Sequence, residues 1–306
     1  MHDFSALIIY WKFIMKILIT GAYGQLGNEM KLALPRHTQH TALFTDADTL
    51  DICDPVAIER CVQANGIEAI VNCAAYTAVD KAETDETTAR RINCDAVQNL
   101  GVVAARHELK IVHISTDYVF EGNACQPYTE QMPPAPISVY GRTKLAGEQV
   151  LSATCADAII IRTAWLYSPF GNNFMKTMLR LGREREQLNV VFDQIGTPTY
   201  GADLAEAIYT ILDHRCTPAG IYHFTNEGVC SWYDFTLEIH KMAGINCRVQ
   251  PITSDNYPTP APRPHYSVLN KAKIKNTFHI TIPHWTDGLQ RCLKALCDYS
   301  QKSSEI

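Results

Sequence analysis

The sequence predicts an α/β fold with a doubly wound parallel sheet, and two observations support this prediction. Short runs rich in β-branched residues alternate with longer helical periods, and strands that alternate with helices form parallel sheets covered on both faces. The runs are also nearly continuous in apolar residues, as strands buried on both faces are. The five predicted strands are KILIT (16–20), TALFT (41–45), EAIVN (68–72), KIVHIS (110–115) and AIIIR (158–162).

Helical periods separate or follow these strands. An Asp-Pro pair at 54–55 is a helix-start signal. The later part of the chain is less regular, and PITSDNYPTPAPRP (251–264) contains too many prolines for a helix or a central strand. The predicted helices cover 54–65, 89–107, 173–186, 201–213 and 231–243.

Composition excludes several function classes. The 306-residue chain has 46% apolar and 19% charged residues, as soluble globular proteins do. No apolar run approaches the ~20 residues that span a bilayer, which argues against a membrane protein. The net charge of −5 provides no basic surface for nucleic acid. The eleven cysteines form no C-x-x-C pair, so we expect reduced thiols, a cytoplasmic location and no metal ligands.

A glycine-rich turn follows the first strand. Gly21, Gly24 and Gly27 form G-x-x-G-x-x-G within GAYGQLGNEM. Glycines permit a tight turn and a close approach of the backbone to a pyrophosphate, and the N-terminus of the following helix presents unpaired N–H groups to it. The alternative is a purely structural turn. Placed after the first strand of an alternating pattern, the motif predicts a Rossmann-type dinucleotide-binding sheet.

Regular alternation ends near Trp165, which predicts two unequal parts. We interpret the first as the dinucleotide-binding sheet and the second as a smaller C-terminal cap that closes over a substrate. MKILIT at 15–20 looks like a natural protein start, so the stretch before it is interpreted as an extension and not as a signal peptide. The predicted parts are the extension (1–14), the Rossmann domain (15–165, with returning segments at about 187–225) and the substrate-binding cap (166–186 and 226–306).

Acidic residues after the second strand bear on cofactor choice. TDADTLDICDP carries four aspartates, and no basic residue lies between Arg36 and Arg60. A free ribose hydroxyl pair prefers an acid here, whereas a 2′-phosphate prefers a cation. The pattern predicts NADH over NADPH, although a basic group from another segment would change that choice.

A hydroxyl, a phenol and an ammonium are expected to meet at the carboxyl edge of the sheet. Thr116 follows the fourth strand, and Tyr140 and Lys144 are one helical turn apart at the start of the next helix. Tyrosine has an ordinary pKa near 10. An ammonium at roughly 4 Å in a dielectric of about 20 favours phenolate by at most about 4 kcal/mol, or up to ~3 pKa units. The arrangement predicts a general acid with a lowered pKa; the alternative is an amphipathic helix with a solvated lysine.

These motifs together resemble the extended short-chain dehydrogenase/reductase superfamily, and within it the dTDP-4-dehydrorhamnose reductases. The resemblance covers nearly the whole chain apart from its two ends. It rests on VNCAAYTAVDKAE (71–83), STDYVFEG (115–122), VYGRTKLAGE (139–148), RTAWLYSPFGNNFMKTMLRL (162–181), FDQIGTPT (192–199) and YPTPAPRP (257–264).

The resemblance implies NAD(P)H-dependent reduction of the C4 ketone of dTDP-4-dehydro-β-L-rhamnose to dTDP-β-L-rhamnose. Tyr140 would supply the proton and Lys144 would also bind the nicotinamide ribose. One departure is Tyr76, where that family commonly has histidine. The implied cofactor contacts are Gly24, Gln25 and Leu26 at the pyrophosphate, Asp51 and Ile52 at the adenosine, and Ala75, Tyr76 and Thr77 past the third strand. The implied substrate contacts are Thr116, Asp117 and Trp165, with Lys176 and Arg263 as candidate cations for the diphosphate.

Two alternatives stay open at this point. The same fold serves as a non-catalytic, cofactor-binding regulatory subunit, but a pure binder has no need for Thr116, Tyr140 and Lys144 together. The fold also serves other nucleotide-sugar enzymes, including 4-epimerases and 4,6-dehydratases. A dehydratase usually has Asp-Glu after the threonine, and here Tyr118 follows Asp117. A homodimer, and a Mg²⁺ ion shared between subunits, are open as well.

Overall fold

The computed structural model describes residues 14–214 and 217–304. Residues 1–13 of the predicted extension lie outside these ranges. Within them the strands are β1 (Lys16–Thr20), β2 (Thr41–Thr45), β3 (Ala69–Asn72), β4 (Lys110–Thr116), β5 (Ile159–Thr163), β6 (Leu166–Tyr167), β7 (Gln187–Val191), β8 (Ile195–Gly196), β9 (Thr199–Tyr200), β10 (Gly220–His223), β11 (Cys230–Ser231) and β12 (Arg248–Ile252). The helices are α1 (Gln25–Ala33), α2 (Pro55–Asn65), α3 (Val79–Ala82), α4 (Glu86–Arg90), α5 (Ala96–Arg106), α6 (Val139–Thr154), α7 (Phe174–Glu184), α8 (Gly201–Asp213), α9 (Trp232–Met242), α10 (Ala272–Phe278) and α11 (Trp285–Ser304).

Six strands form one sheet in the order β10-β5-β4-β3-β1-β2, and every neighbouring pair is parallel. The chain adds β2 on one side of β1 and β3 on the other. The order therefore reverses at β1, which creates the crevice where ligands bind in open α/β sheets. The Rossmann-type prediction is confirmed. The sixth strand, β10, was not predicted.

Apolar layers cover both faces of this sheet. Alternate residues of β1 point to opposite layers, with Ile17 and Ile19 in one and Leu18 in the other. The first layer includes α1 and α8, and the second includes α2, α5 and α6. Burying one such side chain fully stabilises the fold by about 1.5–3 kcal/mol. The strands are therefore held rigidly and fix the positions of the loops at their ends.

The cap has its own core between α7, α9, α11 and a two-stranded parallel sheet of β7 and β12. This pairing corrects one prediction, since 187–191 was placed in a segment returning to the main sheet. Leu188 and Val190 are buried while their neighbours Gln187 and Asn189 are exposed. Such alternation belongs to a strand with one buried face, which does not fit a sheet covered on both faces.

The helix predicted at 89–107 is interrupted. A five-residue π-helical segment, Arg91–Asp95, lies between α4 and α5. Gly147 of α6 packs against it so closely that a Cβ would lie 2.0 Å from the Asn93 carbonyl oxygen. Extra residues of this kind are common at functional sites. Asn93 of this segment hydrogen-bonds the backbone of Tyr76, past the carboxyl end of β3.

No helix within 14–214 or 217–304 combines the length and apolar character needed to cross a bilayer. The structure describes ten of the eleven cysteines, and all ten are free thiols. The predicted start of α2 is confirmed, because the Asp54 carboxylate accepts hydrogen bonds from Val56 N (2.9 Å) and Ala57 N (3.2 Å).

Candidate active site

A cleft of about 900 Å³ opens at the carboxyl ends of the parallel strands. Its volume lies at the upper end of the range typical of small-molecule sites. The lining includes most residues that the sequence singled out. These are Gly21, Gly24, Gln25, Leu26, Asp51, Ile52, Ala75, Thr77, Thr116, Asp117, Tyr140, Lys144 and Trp165.

The glycine-rich turn forms the floor at one end. Gly21 has a left-handed backbone (φ 68°), and a Cβ on it would lie 2.7 Å from Ala74 N. Gly24 caps α1 without a side-chain hydrogen bond to the first turn, so the N–H groups of that turn face the cleft. Gly27 does not line the cleft. It lets α1 pack on the turn, since a Cβ there would lie 2.3 Å from the Gly21 carbonyl oxygen.

Acidic and basic side chains share the far end of the cleft. The Asp46 carboxylate accepts hydrogen bonds from Tyr23 N and Ala47 N, both at 2.8 Å. Asp51 accepts one from Cys53 N at 2.9 Å. Arg91 also lines the cleft. Its contribution was missed because nothing in the sequence signals the π-helical turn that directs it here.

Tyr140 lies in the first turn of α6 and is almost completely buried. Ser138 caps this helix by accepting a hydrogen bond from Gly141 N (3.1 Å). Burial raises the pKa of Tyr140 above its ordinary value, and a hydrogen bond with the Thr116 side chain opposes this rise in part. Thr116 itself donates to Asp117 Oδ1 at 3.0 Å. The phenol and this hydroxyl therefore meet inside the cleft, as predicted.

Lys144 is placed as predicted, one turn further along α6, but its ammonium is held by the backbone of β4. Nζ donates to the Ile114 carbonyl oxygen (2.6 Å) and lies 3.4 Å from His113 Nε2. Burial lowers the pKa of Lys144 to about 8, and the nearby Glu148 charge opposes this shift. The expected lowering of the Tyr140 pKa by Lys144 is not found in the chain alone. Desolvation dominates the pKa of the phenol, and the Lys144 ammonium, which is held by a backbone carbonyl, is not among the groups that lower it.

Asp117 lies beside the phenol and is almost fully buried. Burial raises the pKa of Asp117 to about 6, against the opposing effect of hydrogen bonds that include those from Ser267 and Thr116. The carboxyl is therefore mostly ionised at pH 7 and reaches its midpoint near pH 6. It can accept a hydrogen bond from a substrate hydroxyl when ionised.

The segment after β3 is fastened by Asn93. Asn93 Oδ1 accepts from Tyr76 N (2.9 Å), and Asn93 Nδ2 donates to the Tyr76 carbonyl (3.1 Å) and to Thr143 Oγ1 (3.2 Å). These bonds hold Ala75 and Thr77 against the cleft. The Tyr76 phenol leaves it and donates to Asp85 Oδ2 at 3.3 Å. Tyr76 is thus joined to the site through its backbone and not through its side chain.

Trp165 lies where the sheet meets the cap. Its backbone is left-handed (φ 49°), an unusual conformation for a bulky residue. Its indole stacks on Trp232 with ring centroids 3.4 Å apart. Gly196 makes room for it, because a Cβ there would lie 2.7 Å from the Trp165 ring. Strain of this kind concentrates at functional sites.

Neither predicted diphosphate cation lines the cleft. Lys176 Nζ donates to the carbonyls of Gly171 (2.7 Å) and Pro169 (3.2 Å). Arg263 forms an ion pair with Asp80 (2.7 Å) and donates to the Tyr118 hydroxyl (3.3 Å). Both cations were predicted from charge alone, and the sequence does not reveal their partners.

A contact that the sequence did not predict joins the two parts of the protein. Asn173 caps α7 by accepting from Lys176 N (3.0 Å), and its Nδ2 donates to Gln25 Oε1 (2.9 Å). Asn173, Gln25 and Asn172 all line the cleft. The available signal was an Asn at the start of the helix predicted at 173–186.

Comparisons with known proteins identify the family that this chain resembles. Residues 15–297 match the family described as the RmlD substrate binding domain. The chain is 41% identical to dTDP-4-dehydrorhamnose reductase of Escherichia coli over 297 residues, covering 92% of this chain and 98% of that protein. A crystal structure of a dTDP-4-dehydrorhamnose reductase from Clostridium acetobutylicum superposes with a TM-score of 0.89 at 42% identity, covering 92% of this chain and 99% of the other. The Bacillus anthracis enzyme in complex with NADP superposes with a TM-score of 0.88 at 39% identity, covering 92% and 100%.

Proposed function

The chain belongs to the family described as the RmlD substrate binding domain, and from this premise we propose that it is a dTDP-4-dehydrorhamnose reductase. The reaction is reduction of the C4 ketone of dTDP-4-dehydro-β-L-rhamnose to the secondary alcohol of dTDP-β-L-rhamnose. When bound, a reduced nicotinamide would supply the hydride that adds to C4. A proton adds to the C4 oxygen, so the bond changes balance with one hydride and one proton.

The meeting of Tyr140 and Thr116 in the cleft carries the proposed mechanism. The raised pKa keeps Tyr140 as a neutral phenol that can donate its proton to the C4 oxygen. Thr116 would turn its hydroxyl from Asp117 to the same oxygen and polarise the carbonyl. Lys144, as an ammonium, stabilises the phenolate that remains and lies on the same helical face as Tyr140.

The residues of the cleft fit a dinucleotide. The close approach of Gly21 to Ala74 leaves no room for side chains at the turn, and the N-terminus of α1 faces the same space. Gly24, Gln25 and Leu26 would hold the pyrophosphate, and Asp51 and Ile52 the adenosine. Ala75, Thr77 and Lys144 would border the nicotinamide ribose.

Cofactor preference depends on charges at the adenosine end. Asp46 and Asp51 favour ribose hydroxyls over a 2′-phosphate and support NADH as the preferred cofactor. Arg91 is the one basic side chain lining the cleft there among the described residues, and it would support NADPH. Since the relative from Bacillus anthracis was crystallised with NADP, we propose that both cofactors are accepted, with NADH preferred.

The sugar would lie between Tyr140 and Trp165, with Asp117 within reach of a hydroxyl. Lys176 and Arg263 would have to move toward the cleft to bind the diphosphate, because neither lines it and both are held by other partners. A Mg²⁺ ion shared between subunits stays a prediction. Within the described residues of one chain, no group of three or more His, Cys, Asp or Glu side chains could hold a metal ion. A homodimer and a cytoplasmic location are proposed without a structural test.

The test is to follow oxidation of NADH and NADPH by absorbance with purified protein and dTDP-4-dehydro-β-L-rhamnose. We expect stoichiometric oxidation of cofactor and formation of dTDP-β-L-rhamnose. The control substrate is dTDP-4-keto-6-deoxy-D-glucose, which is named in the description of a relative from Streptomyces niveus and should react more slowly. Interconversion of sugars without net cofactor oxidation would favour an epimerase. Cofactor binding without turnover would favour the regulatory-subunit alternative.

A further inference from the structure

A row of buried polar side chains runs behind the cleft, across the carboxyl ends of three strands. Thr20 Oγ1 donates to Asn72 Oδ1 (2.7 Å), Asn72 Nδ2 lies 3.0 Å from His113 Nδ1, and His113 Nε2 lies 3.4 Å from Lys144 Nζ. All four side chains belong to residues that are at most 1% exposed. Water does not supply alternative partners for groups buried in this way, so their hydrogen-bond directions are determined by one another.

One backbone group fixes the direction of the whole row. Ala74 N donates to Asn72 Oδ1 at 3.1 Å, and a backbone N–H can only donate. The Asn72 amide is therefore oriented with its oxygen toward Ala74 and Thr20 and its NH₂ toward His113. His113 Nδ1 must accept that bond, so the imidazole carries its hydrogen on Nε2. Burial, and then the Lys144 charge, hold the pKa of His113 well below its ordinary value, which keeps the ring neutral.

This tautomer has a consequence for Lys144. An Nε2–H group directed at an ammonium places two donors opposite each other, whereas it can donate to the lone pair of a neutral amine. We propose that His113, locked in the Nε2–H form by Asn72, is a positioning residue that favours the neutral amine of Lys144 and so determines the alkaline limit of ketone reduction. The inference rests on the proposed function for its kinetic part only.

The charged groups around Lys144 do not account for a preference for its neutral amine. Glu148 lies one turn further along α6, but Arg162 of β5 binds both of its oxygens, at 2.8 and 2.6 Å. Asp117 after β4 and Cys73 after β3 line the same cleft. Glu148 and Asp117, when ionised, favour an ammonium, and Cys73 is held as a thiol because burial raises its pKa to about 12. Burial lowers the pKa of Lys144 to about 8, and among the groups in contact with Lys144, His113 opposes the ammonium in addition.

The tautomer is tested without any activity measurement. ¹⁵N NMR of the intact protein labelled at histidine distinguishes the Nε2–H form, the Nδ1–H form and the imidazolium ion. The signal of His113 among the eleven histidines is assigned by its loss in His113→Gln. We expect the neutral Nε2–H form at pH 7 in the protein without cofactor. An Nδ1–H form or an imidazolium ion overturns the proposal.

The kinetic test reverses the direction of the hydrogen bonds along the row and keeps the His113 imidazole. In Asn72→Asp, a carboxylate oxygen faces Nδ1 and draws the hydrogen there, so Nε2 offers its lone pair to the ammonium. The alkaline pKa of kcat/KM for the ketone should rise by about one pH unit, the size of shift that one hydrogen bond to an ionised group produces. No rise overturns the proposal.

The charge that Asn72→Asp adds needs its own control. The same substitution is repeated in the His113→Gln background, where no imidazole can change tautomer. We expect the shift to disappear there. An equal shift in both backgrounds assigns the effect to charge alone and overturns the proposal. Should Tyr140→Phe keep full activity, the proposed function fails while the NMR result still stands, so the two failures are distinguishable.

Discussion

Arg162 and Glu148 form a bidentate ion pair beneath α6, the helix that carries Tyr140 and Lys144. Arg162 Nε and Nη2 donate to the two carboxylate oxygens at 2.8 and 2.6 Å, and both side chains are 2% exposed. Ser115 of β4 donates to the same carboxylate. The pair therefore fastens α6 to β5 and β4 directly behind the reacting groups.

Removing one partner of this pair leaves an uncompensated buried charge. Arg162→Met should lower the free energy of unfolding by about 3–5 kcal/mol. The double variant Arg162→Met/Glu148→Leu should lose less, because no charge is left unpaired. Urea unfolding followed by circular dichroism measures both. The control is Arg180→Met, whose pair with Glu184 is more than half exposed and should contribute no more than about 1 kcal/mol. Equal losses in the buried and exposed variants would contradict the argument.

Tyr140→Phe removes the proposed proton donor while keeping the ring that packs against Tyr118 (5.6 Å between centroids). Turnover should fall by about 10²–10⁴-fold, the usual contribution of a general acid. The Kd for NADH, measured by fluorescence titration, should change little. Tyr76→Phe is the matched control, since its hydroxyl leaves the cleft. Near-normal ketone reduction by Tyr140→Phe would exclude this acid.

Arg91→Ala should weaken use of NADPH more than use of NADH. Loss of one partly exposed cation beside a 2′-phosphate is expected to lower kcat/KM for NADPH by about five- to tenfold. The measurement is the ratio of kcat/KM for the two cofactors at low salt. Arg90→Ala, one residue away and outside the cleft lining, is the control. An unchanged ratio in Arg91→Ala would exclude contact with the phosphate.

Glu29 of α1 predicts a pH dependence of stability. Burial, and then the nearby Asp203 charge, raise the pKa of Glu29 to about 7. In the unfolded chain the ordinary value is 4.5. Between these values the folded state binds the extra proton, so its stability falls as pH rises from about 4.5 to 7. Glu29→Gln, which mimics the protonated form, should be more stable than the parent at pH 8 by up to about 3 kcal/mol.

Unfolding titrations at pH 5 and pH 8 measure this difference. The parent and Glu29→Gln should be closest in stability at the lower pH and diverge at the higher one. Glu206→Gln serves as a control because its carboxylate is partly exposed and paired with Arg36. A constant difference between parent and Glu29→Gln across this range would show that Glu29 does not titrate there.

Much of the fold could be predicted because doubly covered strands leave a strong signal. The apolar runs at 16–20 and 158–162 have no other stable place than a central position in a parallel sheet. The strand Gly220–His223 was missed because GIYH is short and only its last two residues are fully buried. The π-helical segment was missed because nothing in its own residues signals it, and Gly147 of α6, which packs against Asn93, lies far along the chain.

The candidate active site was likewise predictable only in part. Glycines and hydroxyls at the strand ends were predictable, because chain order alone brings the ends of parallel strands to one edge. The partners of long cationic side chains were not. Lys144 reaches the Ile114 carbonyl, and Arg263 reaches Asp80, through tertiary contacts that no local pattern encodes. The direction of the Lys144 ammonium, and hence its effect on Tyr140, follows from these contacts.

The π-helical segment at Arg91–Asp95 limits where this chain can tolerate a deletion. It gives the chain one residue more than a regular helix would need between the same two ends. A single deletion there would restore regular backbone bonding, yet it would rotate α5 by about 100° relative to α4. The apolar side of α5 would then turn away from the sheet. We therefore expect the residues of this segment to differ among homologous chains while its length stays the same.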